Sequence, residues 1–577
     1  MLFTSILHKE DNISDTIVVA ADTDGVSKVG PLSMDIDRLS ETLGGSGRAL
    51  LTWDCLRIGI DPTLFFNSRI SDEYLDGSVW SCISDIMMQQ TAVPTASPSN
   101  DNNKFDYERI STTTREDIRM YLPQRRITQT LGLKTLEQLS TMYSYSPPPS
   151  SKQPVVSTSS SWSPMSSLEY TIASLQQIQI SSDGTTKLLL RLASDGALVE
   201  SVIIPVFPAA AVNPISSTTS TMHNPTRDMS REEEEESTHT HTPIITSTTP
   251  RSTLCVSSQV GCRQACTFCA TGRMGKLRDL TSDEILIQLY YANKIVRVFQ
   301  TLLLQHPQQQ QLTVHQQEEV NSQQLSSSSY FHSFLPPLPE VDNIVFMGMG
   351  EASDNAQAVL RATRIMTHPR LFGFGQTKVT ISTVGPTPQA FHILGQASAI
   401  LAWSVHAVRD SLRKQLVPTT KYPMKELRQG LIDTLIHRPH KLQTIMWQIT
   451  LIENVNDSLV EADELATFAL EMIQAIPRMK LIVNLIPWND ILGQEPYSSS
   501  SSGGMAMKYR KPSMERIRIF QNHLIQRGLV SYIRTTRGDD ESAACGQLAT
   551  INTKKEKNRI VQSSQVLMTT TTTTTVP

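Results

Sequence analysis

Three cysteines within eight residues form the part of the sequence best suited to chemistry. Cys262, Cys266 and Cys269 are separated by three and then two residues, and Phe268 precedes the last of them. A four-iron cluster takes four ligands, so three thiolates leave one iron open to a chelating molecule, whereas structural zinc is normally closed by four protein ligands. The spacing favours an iron–sulfur cluster, with a zinc knuckle or three core cysteines as the alternatives.

The ends of predicted strands carry further residues that could hold a ligand. Gly348-Met-Gly-Glu351 is a glycine-rich turn beside a carboxylate, which can bind an ammonium group. Small polar residues end three more strands, although each alone is more often a cap or turn residue; they are Ser382, Ser404 with Val405 and His406, and Asn489. We therefore treat this set as a candidate binding site.

Two further cysteines and one glutamate are candidates for covalent or proton-transfer chemistry. Cys545 lies between small residues, so both simple burial and contact with a ligand suit it. Cys255 offers a second thiol outside the three-cysteine group, and a thiol pair can carry and release a covalent group by disulfide exchange. On its residue type alone, Glu200 is expected to be an exposed residue of an edge strand.

The repeated strand and helix patterns predict how these residues are positioned. Six βα units between residues 251 and 550 predict an α/β fold with an open parallel barrel, whose chemistry lies at the carboxyl ends of the strands. One strand is predicted from Leu254 to Val260, leading into the cysteine loop. Low-complexity insertions are expected at about 306–339 and 496–504, and a disordered tail at 551–577.

The chain before residue 251 divides by composition and periodicity. We expect a mobile arm (1–35), a helical accessory domain (36–145), a linker (146–169), a three-stranded β meander with two Asp-Gly turns (170–205) and a disordered insertion (206–250). Cys55 and Cys82 lie in apolar helical surroundings and are predicted to be core residues.

Composition limits the class of protein. Only seven of 577 residues are cysteine, which favours metal or redox chemistry in a reducing compartment over a disulfide scaffold. A net charge of −4 neither establishes nor excludes an RNA partner. The sequence has no apolar run of about 18 residues, and its acidic start is unlike a signal or transit peptide. We expect a cytoplasmic protein without a membrane span, with an organellar location left open.

Together these motifs resemble the radical S-adenosylmethionine (SAM) adenine-C2 methyltransferases of ribosomal and transfer RNA. The resemblance runs from about Tyr170 to Leu548 and more faintly over the N-terminal helical domain. It is carried by Cys255-Val-Ser-Ser-Gln-Val-Gly-Cys262, the three-cysteine loop, Gly348-Met-Gly-Glu351, Ile486-Pro-Trp-Asn489, Thr536-Arg-Gly-Asp-Asp540 and Ala544-Cys545-Gly-Gln-Leu548.

The resemblance implies a role for each candidate residue. Cys262, Cys266 and Cys269 would bind a [4Fe-4S] cluster in a radical SAM barrel. Gly350, Glu351, Ser382, Ser404, Val405, His406 and Asn489 would line the SAM pocket. Cys545 would carry the methyl group as S-methylcysteine, Cys255 would release the product by forming a disulfide with Cys545, and Glu200 would accept the proton. Two SAM molecules would be used per turnover.

The resemblance also implies partners and leaves alternatives open. RNA would be the substrate, the N-terminal domain would help to bind it, flavodoxin or ferredoxin would donate electrons, and the protein would be a monomer. Basic residues expected around the barrel mouth are Arg273, Lys276, Arg278, Lys508, Arg510, Lys511, Arg516, Arg518, Arg534 and Arg537. Ala352, Val384 and Val405 depart from the family pattern but leave the polar atoms in place. A sister family methylates C8 with the same cysteines, and an inactive iron–sulfur or zinc RNA-binding protein is the other alternative.

Overall fold

The computed structural model describes the chain in five long stretches. They cover residues 32–65, 168–207, 249–304, 338–489 and 509–534, with residues 30, 82, 134, 135, 138 and 139 described singly. Nearly all of the predicted arm, insertions and tail lie outside these residues, as do most of the predicted helical domain and Cys545.

One large sheet organises the described residues. The strands are β1 Ala173–Ile180, β2 Thr186–Leu192, β3 Leu198–Val206, β4 Arg251–Cys255, β5 Gln259–Gly261, β6 Lys276–Asp279, β7 Val341–Phe346, β8 Val379–Thr383, β9 Ile400–Ser404, β10 Ile445–Leu451, β11 Leu481–Pro487 and β12 Val530–Ile533. All except β5 and β6 form a ten-stranded sheet in chain order, and β5 pairs with β6. The pairs β1–β2, β2–β3 and β3–β4 are antiparallel, whereas all pairs from β4–β7 to β11–β12 are parallel.

Helices connect the parallel strands. Those of the described residues are α1 Ile36–Leu43, α2 Ser46–Arg57, α3 Leu168–Thr171, α4 Ala270–Met274, α5 Ser282–Leu304, α6 Ala356–Thr367, α7 Pro388–Gly395, α8 Asp410–Leu416, α9 Met424–Ile436, α10 Leu459–Ala475 and α11 Met514–Gln526, with 3₁₀ turns at Pro62–Phe65, Ala352–Asn355, Gln376–Lys378 and His440–Leu442. Helices follow β4 and β7 to β11 in turn. These six βα units confirm the predicted α/β fold with a partial parallel barrel, and β12 adds a further parallel strand.

Side-chain caps explain where several of these helices begin. The sequence from Thr281 to Glu284 has the pattern of a capping box, and the box is present before α5: the Glu284 backbone N–H donates to the Thr281 hydroxyl, and the Thr281 N–H donates to the Glu284 carboxylate. Thr387, Ser458 and Ser513 cap α7, α10 and α11 in the same way with their hydroxyls. Local sequence therefore fixes where these helices leave the sheet.

The two faces of the sheet differ in chemistry. Leu254, Ile344, Trp403, Trp447 and Val483 alternate onto one face and belong to the main apolar core with the helices. The opposite face, which we call the inner face, carries the residues between them, including Glu200, Cys255, Ser404, Gln448 and Asn484. Side chains that alternate along each strand thus place apolar bulk outside and polar groups inside.

The region before the three-cysteine loop departs from its prediction. The single strand expected from Leu254 to Val260 is wrong, because the chain leaves the main sheet after Cys255 and starts a separate hairpin at Gln259. The Ser257 N–H donates to the buried Gln288 side chain at the turn between the two strands. Strand β6, the second strand of the hairpin, was not predicted.

The described N-terminal residues pack against α5. The Asp283 carboxylate accepts hydrogen bonds from the Gly30 and Ser33 backbone N–H groups and from the Ser33 hydroxyl. Cys55 and Cys82 are buried, as their apolar surroundings predict. No helix among the described residues is long and apolar enough to cross a membrane.

Candidate active site

The three-cysteine loop joins β5 to α4 and is held in a tight conformation. Gly261 has φ +77°, and a Cβ there would lie 1.8 Å from the Gly275 carbonyl oxygen, so only glycine fits. Cys262 donates its backbone N–H to that oxygen at 3.0 Å, and Cys269 donates to the Cys266 carbonyl at 3.1 Å. Ala265 has φ 52°, which is strained for a residue with a Cβ. The backbone thus brings three thiols into one short loop.

The thiols are sheltered from solvent. Cys266 is buried, whereas Cys262 and Cys269 are half-buried, and none of the three is in a disulfide. Burial raises the pKa of the Cys262 thiol and raises the pKa of Cys266 to about 12, and neighbouring cysteines act in the same direction on both. These two thiols are therefore protonated in the metal-free protein, and binding of iron would release their protons.

The spacing of the three cysteines is the feature that relates this loop to a cluster. Ligands of a single zinc must meet at one point, whereas cluster thiolates each bind a different iron. Among the described residues, no group of three His, Cys, Asp or Glu side chains forms a site for one metal ion. Three thiols in one loop are compatible with a cluster that has one iron left for another ligand.

The glycine-rich turn after β7 interlocks with the chain that leads to the cysteines. Gly350 has φ +109°, and a Cβ there would lie 2.7 Å from the Gln259 side chain. The Met349 N–H donates to the Ser257 hydroxyl at 2.9 Å, and the Glu351 N–H donates to the Gln259 side-chain oxygen at 2.8 Å. The position of Glu351 relative to the cysteine loop is therefore fixed by the protein itself.

The Glu351 carboxylate is oriented by neutral donors. One oxygen accepts from the Thr383 hydroxyl and from the Ser353 hydroxyl and backbone N–H, and the other accepts from the Val384 N–H at 2.9 Å. Burial raises the pKa of Glu351, an effect that these hydrogen bonds oppose. A buried carboxylate whose donors are uncharged is ready to attract a cationic group.

The structure brings the predicted residues of β8 and β9 together. The hydroxyls of Ser382 and Ser404 are 3.4 Å apart, and Val405 is fully buried between Ser404 and His406. His406 has φ 54°, and its Nδ1 accepts from the Thr450 N–H, which leaves Nε2 as the protonated nitrogen of a neutral ring. Burial holds the pKa of His406 well below its usual value.

Aromatic residues tie the cysteine loop to this strand tip. The Phe268 ring contacts the His406 ring edge-on, with centroids 4.6 Å apart. The Trp488 Nε1–H donates to the Phe268 carbonyl at 3.1 Å, and Trp488 directly precedes Asn489. The tips of β9 and β11 thus meet the cysteine loop, as the predicted barrel requires.

Arg413 is a residue of this site that the sequence did not reveal. Its fully buried guanidinium on α8 donates to the carbonyl oxygens of Ser404, Val405 and Val384 at 2.6–2.7 Å. Burial lowers the pKa of Arg413 to about 10, so it stays cationic at neutral pH. Leu416, at the end of the same helix, accepts the Thr267 N–H from the cysteine loop. Arg413 therefore joins the ends of β8 and β9 beside the loop. Its position seven residues after His406 is the only sequence signal for this role.

Glu200 on β3 and Cys255 on β4 share the inner face of the sheet. Val202 lies opposite Cys255 across β3 and β4, and Glu200 is two residues before Val202 on the same face. The interpretation of Glu200 as an exposed edge residue is wrong, because β3 lies between β2 and β4 and the side chain is 2% exposed. Lys187, whose role was also missed, places its buried ammonium 3.7 Å from the Glu200 carboxylate.

The chain that leads to Cys545 starts beside Cys255. Cys255 packs in a small cluster with Val202, Val345 and Met347, and the Arg534 guanidinium donates to the Met347 sulfur at 3.7 Å. Cys545 follows Arg534 by eleven residues and lies outside the described residues, so its predicted pairing with Cys255 stays a prediction. No disulfide joins any of the cysteines that the structure describes.

Unpaired polar atoms support a bound organic cofactor. The Asn489 side-chain oxygen and both polar atoms of the Gln448 amide are buried and lack hydrogen-bond partners in the described part of the chain. Such atoms are costly unless a ligand satisfies them. Together with the Glu351 carboxylate and the Ser382 and Ser404 hydroxyls, they fit a molecule with cationic and neutral polar parts, such as SAM.

Several of the basic residues predicted around the barrel mouth already have acidic partners. Arg278 pairs with Asp195 and Glu284, Arg516 with Asp457, and Lys276 with Asp279. Lys508 and Arg537 lie outside the described residues. Arg278 and Arg516 thus have structural contacts that sequence clustering alone could not distinguish from an RNA surface.

Comparison with known proteins gives clear sequence relatives. No family model matches the chain. It is 38% identical over 300 residues to the dual-specificity RNA methyltransferase RlmN of Francisella tularensis subsp. tularensis (strain FSC 198), a match that covers 52% of this chain and 66% of the relative. The corresponding protein of subsp. novicida (strain U112) is 37% identical over 300 residues, and this match also covers 52% of this chain and 66% of the relative. The chain thus spans just under two thirds of the length of these curated relatives.

Among solved structures, the chain is similar to a radical SAM methyltransferase from Sphaerobacter thermophilus. The sequences are 28% identical, the TM-score is 0.43, and the match covers 65% of this chain and 80% of the other. The sequence matches over 300 residues confirm the resemblance inferred from the motifs. The chain is therefore related in sequence to the dual-specificity RNA methyltransferases.

Proposed function

We propose that this protein is a radical SAM methyltransferase that methylates C2 of adenine in ribosomal RNA, transfer RNA or both. The proposal combines the sequence similarity to dual-specificity RNA methyltransferases with the site described above. One observation carries it. The chain that leads into the three-cysteine loop is hydrogen-bonded to the Glu351 turn through Ser257 and Gln259, so groups for a cluster and for a cationic cofactor are adjacent.

In this proposal, different residues around the loop bind the cluster and SAM. Cys262, Cys266 and Cys269 hold the [4Fe-4S] cluster. Glu351 accepts hydrogen bonds from the ammonium of SAM beside Gly350, and the remaining pocket residues line the rest of the molecule: Ser382, Ser404, Val405, His406 and Asn489. When bound, the cluster supplies the electron for reductive cleavage of SAM. Arg413 and the buried core around it exclude water from the loop.

Methyl transfer is assigned to residues on the inner face and to the segment that follows Arg534. Cys545 would carry the methyl group as S-methylcysteine, which consumes one SAM. A second SAM would supply the radical that removes a hydrogen atom from this methyl group, so that its carbon can bond to C2 of adenine while one electron returns to the cluster. Glu200 would accept the proton that C2 loses, and Lys187 stabilises and orients its carboxylate. Cys255 would then attack the Cys545 sulfur, so that a disulfide forms as the bond from that sulfur to the transferred carbon breaks; the carbon takes up a proton to become the methyl group, and the disulfide must be reduced. The contact between Arg534 and Met347 supports this assignment, because it starts the Cys545 segment next to Cys255.

The proposed partners are RNA and an electron donor. A donor such as flavodoxin or ferredoxin would reduce the cluster, and we propose a monomeric enzyme. RNA phosphates would contact basic residues that include Arg510 and Arg518, with help from the N-terminal domain.

Anaerobic reconstitution with iron and sulfide tests the proposal directly. We expect about four irons per chain, an absorbance band typical of a [4Fe-4S] cluster, and release of 5′-deoxyadenosine from SAM when dithionite is added. With RNA from a strain that lacks the enzyme, mass spectrometry of nucleosides should detect 2-methyladenosine. Absence of iron or of SAM cleavage would contradict the proposal, and 8-methyladenosine would correct the position of methylation.

Two variants separate the roles of the cysteines. Cys545→Ala should bind the cluster and transfer no methyl group, whereas Cys266→Ala should lose the cluster and with it SAM cleavage. Methyl transfer by the Cys545→Ala protein would contradict the carrier role without affecting the assignment of the cluster.

A further inference from the structure

A buried glutamine on β10 has no established task in the fold. Gln448 is 3% exposed, and neither its amide oxygen nor its amide nitrogen has a hydrogen-bond partner among the described residues. Burying an unpaired amide costs free energy, and buried polar side chains in native proteins are nearly always paired. An amide that remains unpaired on both sides is therefore expected to serve a ligand.

The neighbours of Gln448 indicate where that ligand lies. On the parallel sheet Gln448 is in register with Ser404 of β9 and with Asn484 of β11, so all three side chains are on the inner face. Ser404 and Asn484 are half-buried. Ser382 continues the row on the other side, since its hydroxyl is 3.4 Å from that of Ser404. We call Ser382, Ser404, Gln448 and Asn484 the neutral row.

The hydrogen-bonding groups of the neutral row indicate which part of a ligand lies beside it. Each member is uncharged and can both donate and accept hydrogen bonds, which matches hydroxyl groups rather than an ammonium, a carboxylate or a sulfonium. The row begins next to Thr383, whose hydroxyl donates to Glu351. In SAM the charged methionine end is joined directly to the ribose, so a molecule whose ammonium is at Glu351 brings its ribose to the row.

We propose that Gln448 binds the ribose hydroxyls of SAM, with Ser404 beside it, and that its unpaired amide is kept for this purpose. The inference rests on the proposed function, because it takes the ligand to be SAM. It adds a binding residue to the pocket and gives the neutral row a specific task, the recognition of the ribose diol.

The test compares two buried glutamines. Gln288 on α5 is fully paired: its amide oxygen accepts from the Ser257 N–H, and its amide nitrogen donates to the Ser257 and Glu284 carbonyls. Replacing it with leucine should lower the melting temperature of the SAM-free protein. Gln448→Leu should raise the melting temperature or leave it unchanged, because the substitution removes an unpaired amide without breaking a hydrogen bond.

Gln448→Leu should weaken SAM binding even though it does not lower thermal stability. Calorimetry on the cluster-loaded full-length protein should show SAM affinity about tenfold weaker for Gln448→Leu than for wild type, a typical loss for a removed hydrogen bond to a neutral group. Wild type should prefer 5′-deoxyadenosine over its 2′-deoxy or 3′-deoxy analogue, and this preference should disappear in Gln448→Leu. A structural role for Gln448 would not change the preference between these nucleosides.

Each result decides a separate question. If wild type binds SAM but Gln448→Leu keeps both the affinity and the ribose preference, the inference about Gln448 is wrong and the proposed function stands. A melting temperature that falls as far as that of Gln288→Leu would also overturn it. If wild type itself fails to bind SAM, the proposed function fails, and the inference fails with it.

Discussion

Two buried glutamates, Glu200 on β3 and Glu351 after β7, belong to strands on opposite sides of β4 and are stabilised in different ways. Glu351 is 3% exposed and is surrounded by neutral donors from Thr383, Ser353 and Val384. Glu200 is 2% exposed, and the Lys187 ammonium lies 3.7 Å from its carboxylate. The Glu351 carboxylate is thus surrounded by neutral donors, whereas the Glu200 carboxylate belongs to an ion pair.

This difference indicates that Glu351 serves ligand binding, whereas the Glu200 pair serves the stability of the fold. Arg413, a buried cation that interacts electrostatically with Glu351, directs its hydrogen bonds to the Ser404, Val405 and Val384 carbonyls instead of to the carboxylate. The Glu351 carboxylate is therefore available to an incoming ammonium, whereas the Glu200 carboxylate is already stabilised within the sheet. Changes at Glu351 should act on affinity for SAM, and changes at the Glu200 pair should act first on folding.

Breaking the ion pair gives the largest expected effect. Lys187→Met leaves the Glu200 carboxylate buried beside an apolar side chain, and removing one partner of a buried pair typically costs about 3–5 kcal/mol. We expect that loss in the free energy of unfolding, measured by denaturant titration of the SAM-free protein. The affinity of the folded protein for SAM should stay within about twofold of wild type, since the pair lies outside the proposed SAM pocket.

A double variant controls for the change in shape at Lys187. Lys187→Met combined with Glu200→Gln removes both charges, so it should recover much of the lost stability. If the single and double variants are equally unstable, the charge of Glu200 is not what Lys187 balances, and the proposed contrast between the two glutamates does not hold.

Glu351→Gln tests the other side of the comparison. The amide keeps the size of the side chain but removes the charge that the ammonium of SAM would meet, and charge-assisted hydrogen bonds contribute about 1.5–3 kcal/mol. Calorimetry should therefore show SAM affinity lower by roughly 10- to 100-fold. The free energy of unfolding should change by less than in Lys187→Met, because the substitution leaves no charge buried without a partner and loses only the hydrogen bond from the Val384 N–H.

The matched substitution at the other glutamate completes the test. Glu200→Gln should leave SAM affinity close to that of wild type and should reduce methyl transfer instead, since Glu200 is the proposed proton acceptor. An equal loss of SAM affinity in both variants would mean that the two carboxylates share one pocket.

Sequence reasoning located most of the site because its residues follow strands. The helical periodicity of the sequence predicts a helix from Met424 to Ile436, which agrees with α9, and its apolar runs predict strands within a few residues of β8 to β11. Parallel strands place their carboxyl ends together. The pattern therefore predicts that Glu351, Ser382 and His406 lie near the cysteines before any contact is known.

The missed residues depend on contacts between distant elements. Lys187 stands in a β-rich run, and only the pairing of β2 with β3 brings it to Glu200. Gln448 lies in an apolar strand, where the sequence does not show that its amide is left unpaired. The break between Cys255 and Gln259 was missed because both halves have strand propensity, while the hydrogen bond from Ser257 to Gln288 directs the chain out of the sheet.

The smallest expected effect concerns the only histidine predicted in the pocket. Burial holds the pKa of His406 well below 6.5, so the folded protein keeps the ring neutral while the unfolded chain takes up a proton as the pH falls through about 6.5. Stability conferred at neutral pH is therefore lost as the pH decreases below that value. The loss approaches about 1.4 kcal/mol for each pH unit until the folded-state pKa is reached.

His406→Asn isolates this contribution because asparagine tolerates the positive φ of 54° at this position. Denaturant titrations of wild type and variant between pH 7 and pH 5.5 should show that wild type loses about 1 kcal/mol more than the variant over this range. His392→Asn, at an exposed histidine on α7, serves as the matched surface substitution. Parallel pH profiles for wild type and His406→Asn would mean that His406 takes up its proton at the same pH in the folded and the unfolded protein, so that the ring is charged below about pH 6.5. The Glu351 region would then contain a second cation, and its contrast with the Glu200 pair would be lost.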